Sequence, residues 1–168
     1  MTFLKERGLK VGRNHRAALA ALALAGPLLE ARPALATATL SCDAGDKSVK
    51  LSVQAAVGHG AGESLSGFQG EIEVLLKGAP DDMRKLALGP EHLTQHWVHG
   101  RAVKLRIYRE RPDGQPGDVE IVVETRAGAA DEPEHRGTYV LTVHVPGPSS
   151  GAEPKALKAR GRATCSLG

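Results

Sequence analysis

Aromatic side chains are scarce in this chain. Two phenylalanines, two tyrosines and one tryptophan are all it has among 168 residues. Beyond residue 36 only Phe68, Trp97, Tyr108 and Tyr139 remain. Single-stranded nucleic acids and sugars are usually held on several exposed rings. Four rings, some needed for a core, leave no room for such a platform. Long apolar runs are lacking too. A membrane span needs about 20 mostly apolar residues. The uncharged Ala/Leu-rich run Ala17–Leu29 is shorter and is followed by Glu30, Arg32 and Pro33. No stable span is expected after residue 36.

A surplus of one charge is also missing once the N-terminus is set apart. Of 22 Lys/Arg and 19 Asp/Glu, six and two lie in residues 1–36, which leaves 16 and 17 and a net charge near −1. A nucleic-acid binder usually carries excess Lys and Arg on one face. The basic balance belongs instead to the N-terminus, so no nucleic-acid partner is expected. Lys5, Arg7, Lys10, Arg13 and Arg16 precede the Ala/Leu run, and Ala34-Leu35-Ala36 closes it with small residues at alternate positions. A charged start, an apolar middle and a small-x-small end form a secretory signal peptide. Residues 1–36 are read as that signal and 37–168 as one domain, periplasmic or secreted. Its size suits a single modest core and a monomer.

Only two cysteines are present, Cys42 and Cys165, with neither a Cys-x-x-Cys pair nor a third thiol. In an oxidising compartment an even number is most simply a disulfide. Closing a loop of 123 residue steps stabilises by about 4–5 kcal/mol in the loop-entropy account. The first and last elements are then neighbours.

What the chain does have is alternation. Val49, Leu51, Val53, Ala55 and Val57 interleave with Lys50, Ser52 and Gln54. Similar runs occur over Thr37–Cys42, Phe68–Leu76, Lys85–Leu88, Val103–Tyr108, Val119–Glu124, Tyr139–Val145 and Lys158–Cys165. Period two means strands, and the Gly/Pro/Asp clusters between them mean turns. The expected fold is all-β: a single antiparallel β-barrel or β-sandwich of about eight short strands, closed by one disulfide. Charge sets one register. Folding back at Asp113-Gly114 puts Leu105 opposite Val123, Ile107 opposite Ile121 and Lys104 opposite Glu124, with Arg106 diagonal to both Glu120 and Glu124. Apolar then meets apolar and basic meets acidic. The basic string Arg101, Lys104, Arg106, Arg109, Arg111 is thus a paired, solvated face and not an anion site.

Catalytic motifs are missing. Gly58-His59-Gly60-Ala61-Gly62 has no Gly-Lys-Ser/Thr and leads to a strand, so it is a hairpin loop. Gly62-Glu63-Ser64-Leu65-Ser66 lacks the last glycine of a nucleophile elbow. Asp81-Asp82 and Asp131-Glu132 sit among polar neighbours, with nothing to separate their acidities. His92, His96 and His99 would share one face of a helix and could then hold a metal. On a strand His99 points away from the other two. No cofactor is implied, and no enzyme is expected.

In outline (export signal, about eight strands, one disulfide) the chain resembles small exported bacterial β-barrel proteins, a group that includes periplasmic inhibitors of lysozyme or proteases. No motif matches residue by residue. The likeness covers architecture only; the expected function is that of a non-enzymatic binding protein of the cell envelope with an envelope or extracellular protein partner. Loops 58–67, 89–100 and 127–135 are its natural contact surfaces. Trp97, if exposed, is the best single anchor. The alternative is a carrier of a small apolar ligand or metal, with Gly70, Ala159, Gly161 and Ala163 leaving room inside. A hydrolase ranks third.

Overall fold

A computed structural model describes residues 38–58, 64–111, 116–129, 132–147 and 154–168. The signal-peptide reading, residues 59–63 of the glycine-rich loop, the Asp113-Gly114 turn and Asp131 lie outside them. The chain divides after Leu35, and the second unit, Ala36–Gly168, holds the whole sheet.

The alternating runs form strands. They are β1 Ala38–Gly45, β2 Val49–Val57, β3 Leu65–Val74, β4 Lys85–Leu88, β5 Leu93–His99, β6 Ala102–Glu110, β7 Asp118–Ala127, β8 Glu134–Val145 and β9 Lys155–Leu167. Single 3₁₀ turns occupy Asp81–Met83 and Pro90–His92. All nine strands join one antiparallel sheet in the order β4-β3-β2-β1-β9-β8-β7-β6-β5. The buried apolar positions of the strands point to one side. There Leu40, Ile72, Leu105, Ile107, Ile121, Tyr139 and Leu141 are fully buried.

Two expectations need correction. The sheet has nine strands, not about eight, and it is a half-barrel, neither a closed barrel nor a sandwich. The extra strand, β5, buries only Val98 fully. A register shift between Leu93 and Gln95 breaks its period, so no alternation marks it in the sequence. The curl follows from chain length. β4 and β5 are opposite edges, yet four residues, Gly89–His92, join them. That link spans at most about 19 Å, so the sheet must bend until its edges approach. Side chains tie the seam where the ladder stops. Arg109 donates to the Ala87 carbonyl of β4. Arg111 holds Asp82 with Nε at 2.6 Å and Nη2 at 3.1 Å.

The disulfide is present. Cys42 and Cys165 face each other across β1 and β9 and are bonded. The charge-derived register also holds. Lys104 pairs with Glu124, Leu105 with Val123 and Ile107 with Ile121, and Arg106 forms an ion pair with Glu120. The whole basic string is occupied. Arg101 donates to the Ala127 carbonyl at 3.1 and 3.0 Å, Lys104 lies 3.1 Å from Glu124, and Arg109 and Arg111 tie the seam.

A hydrogen bond between the exposed Asp46 and the buried Tyr139 locks the β1–β2 turn. Oδ1 of Asp46 accepts from the N–H groups of Ser48 at 2.7 Å and Val49 at 3.2 Å, which closes an Asx turn. Its Oδ2 accepts from the Tyr139 hydroxyl at 2.7 Å. That hydrogen bond above all holds the Asp46 carboxyl below its usual range. Burial, then Asp46, pushes the Tyr139 phenol up to about 12. The carboxylate contributes fully above its ordinary pKa of 3.8, and less as pH falls through its lower folded value. The phenol contributes fully below 10.0, and less as pH rises towards about 12. Tyr139→Phe is therefore expected to cost about 1–2 kcal/mol at neutral pH. Denaturant titrations should show that deficit shrinking in acid and in strong alkali. A difference that stays constant across pH would refute the pairing.

Candidate functional site

β5 is an edge strand, paired with β6 alone. Gly89-Pro90 opens the turn before it. The link to β6 is the two-residue loop Gly100-Arg101, with Gly100 at φ 56° as a primed hairpin turn requires. Val98 points inward, so its neighbours Trp97 and His99 point out. Trp97 is 57% exposed, and its ring meets that of His99 edge-on, 5.7 Å between centroids.

Trp97 is one wall of an open groove of about 480 Å³, lined further by Gln95, Lys104, Arg106, Val122 and Glu124. The register continues it across the sheet. Arg106 faces Val122, and Val122 faces Val140, which is 41% exposed and, among the described residues, the one other large apolar side chain left open. The cations along the groove are neutralised by Glu120 and Glu124. The face thus offers an apolar ring and a valine pair among matched charges. That arrangement can bury apolar surface without leaving a charge unpaired.

The three histidines separate. His92 belongs to the 3₁₀ turn, where Nδ1 accepts the Gly89 N–H at 2.9 Å. His96 and His99 lie on β5, with His99 against Trp97. Among the described residues no three His, Cys, Asp or Glu side chains gather as metal ligands.

The carboxylate pair Asp81-Asp82 is committed to ion pairs with Arg84 and Arg111. The Arg111 guanidinium holds the Asp82 carboxyl low.

Gly70 and Gly161 have close neighbours, and Gly70 also lines an open groove of about 650 Å³ with Ser41, Gln54, Gln69 and Leu88. A Cβ on Gly70 would collide with the Ser52 carbonyl and Val53. One on Gly161 would strike Tyr139 and Asp46. Ala163 is buried, and Ala159 is partly buried against the core.

The basic residues of β9 belong to the alternation, and nothing in the sequence sets them apart. Their isolation shows only in the strand order. Comparison with protein-family models, curated proteins and solved structures finds no match to this chain.

Proposed function

We propose that this chain is an exported, non-enzymatic binding protein of the cell envelope, whose outer face around Trp97 engages a protein partner. The observation that carries the reading is the exposed Trp97 ring on an edge strand, beside a groove whose charges are already matched. Tryptophan is enriched among residues that dominate protein interfaces, at the centre of a desolvated patch with a polar rim. Export is supported by the form of residues 1–36 and by the Cys42–Cys165 bond, which persists in oxidising compartments. No helix among the described residues is long and apolar enough to cross a membrane.

The test is photo-crosslinking from position 95 of the full chain in its native envelope, followed by affinity measurement on the captured partner. Trp97→Ala leaves the core untouched and should weaken that affinity about thirty-fold, the effect of losing a hot spot of about 2 kcal/mol. The purified protein should also begin after Ala36. Unchanged affinity with Trp97→Ala would remove the anchor. A cytoplasmic, uncut chain would remove the envelope.

A further inference from the structure

β9 has unequal flanks. Towards β8, every residue from Lys155 to Ser166 has a register partner. Towards β1, only Thr164–Leu167 do: the pairing stops at Asp43, two residues before β1 ends at Gly45 and Asp46 turns the chain into β2. Residues 155–163 are therefore a strand edge in the middle of the sheet order. The chain after β3 passes nearby, with Gly78 next to Leu157. Among the described residues no backbone hydrogen bond runs from there to β9.

The side chains along this edge have a pattern. Lys158, Arg160 and Arg162 occupy alternate positions, share the outward face and are exposed. Their cross-strand neighbours on β8 are Thr142, Val140 and Thr138, none of them acidic. Among the described residues no carboxylate forms an ion pair with any of the three. Several outward cations elsewhere on the sheet are neutralised from the adjoining strand: Lys50 and Lys85 by Glu73, Lys104 by Glu124, Arg106 by Glu120; Arg136 is paired within β8 by Glu134, and Arg126 stands alone rather than in a column. The column on β9 lacks only the strand that would do the same.

We infer that this edge takes an extended acidic segment of a protein partner, added as a further strand along residues 155–163. Its outward positions carry Asp or Glu opposite Lys158, Arg160 and Arg162, repeating every about 6.7 Å as strand geometry dictates. Its intervening positions are apolar, since they lie beside the half-buried Leu157 and Ala159. A polypeptide meets both requirements, because its backbone completes the ladder while its carboxylates meet the cations. A phosphate polymer or anionic glycan meets only the second. The edge is four strands from Trp97, so the inference stands or falls apart from that anchor.

The experiment uses the full oxidised chain and a synthetic peptide of alternating Glu and Val long enough to span 155–163. Expected are saturable, salt-sensitive binding by anisotropy and new hydrogen-exchange protection of amides within 155–163. The variant K158E/R160E/R162E should bind it at least about tenfold more weakly and prefer a Lys/Val peptide instead. That reversal shows the variant is folded. N-methylating the peptide at alternate amides should abolish binding at unchanged charge. Binding without new protection, or insensitivity to N-methylation, would reduce the column to a general polyanion site and overturn strand addition. Equal binding of inorganic polyphosphate with no peptide preference would do so too. No binding at all would leave the cations as guards against edge-to-edge aggregation, which also overturns it.

Discussion

Replacing Cys42 and Cys165 together by alanine is expected to lower stability by about 2–5 kcal/mol. Topology explains why one bond matters so much. The sheet consists of two arms, β4 to β1 and β9 to β5. They join through the Gly89–His92 link and through the β1–β9 ladder, which has four register pairs against eight for β1–β2. The disulfide sits inside that short ladder. Without it, the unfolded chain regains the freedom of a loop of 123 residue steps, and the two arms keep only a weak common border. Denaturant unfolding of three species separates the causes: oxidised, reduced, and the double alanine variant. The reduced protein keeps both sulfurs in the core, so its loss reports the loop. The alanine variant adds the space left by two buried side chains. The denaturant slope should rise in both, because an uncrosslinked chain exposes more surface. A reduced protein within about 1 kcal/mol of the oxidised one would show that the arms hold together unaided.

The second large effect is expected at Gly161. Its backbone is not in the left-handed region, so conformation alone does not demand glycine there. The demand comes from across the ladder. A Cβ would lie 2.6 Å from Cε1 and 2.9 Å from the hydroxyl of Tyr139, with Asp46 Oδ2 closer still. In an ordinary strand, glycine to a β-branched residue is favourable. Here Gly161→Val should instead cost about 3–5 kcal/mol, the sum of overpacking and a lost charge-assisted hydrogen bond. A double-mutant cycle with Tyr139→Leu measures the cause. Removing the ring should recover a large part of the loss from Gly161→Val. If the two substitutions simply add, the ring is not what excludes a side chain from that position.

Much of the fold is legible in the residues because the information is local. In β2, Val49, Leu51, Val53, Ala55 and Val57 are buried and Lys50, Ser52 and Gln54 are exposed, so the period alone locates the strand. In the β6–β7 hairpin, a short loop and complementary charges leave one sensible register, and Lys104, Arg106, Glu120 and Glu124 occupy it. The disulfide follows from a count of two. β5 is illegible for the opposite reason. An edge strand with one fully buried residue and a register shift has no period to read, and a helix with His92, His96 and His99 on one face fits its sequence as well. The exposure of Trp97 was open in the sequence, because tryptophan suits a core or an interface equally.

By itself, then, the chain's order of residues determined the strands with a clear period, the hairpin register and the cysteine pair, since each depends on neighbours or on a choice of one. Tertiary structure alone decided three things. The two edges meet without pairing, because a four-residue link bends the sheet while Arg109 and Arg111 occupy the seam. Gly70 and Gly161 have no space for a Cβ, because Val53 and Tyr139 come from other strands. Lys158, Arg160 and Arg162 stand beside an open ladder, because the β1–β9 pairing stops at Asp43. Where a strand stops relative to a partner more than a hundred residues away is set by long-range packing, and no local pattern records it.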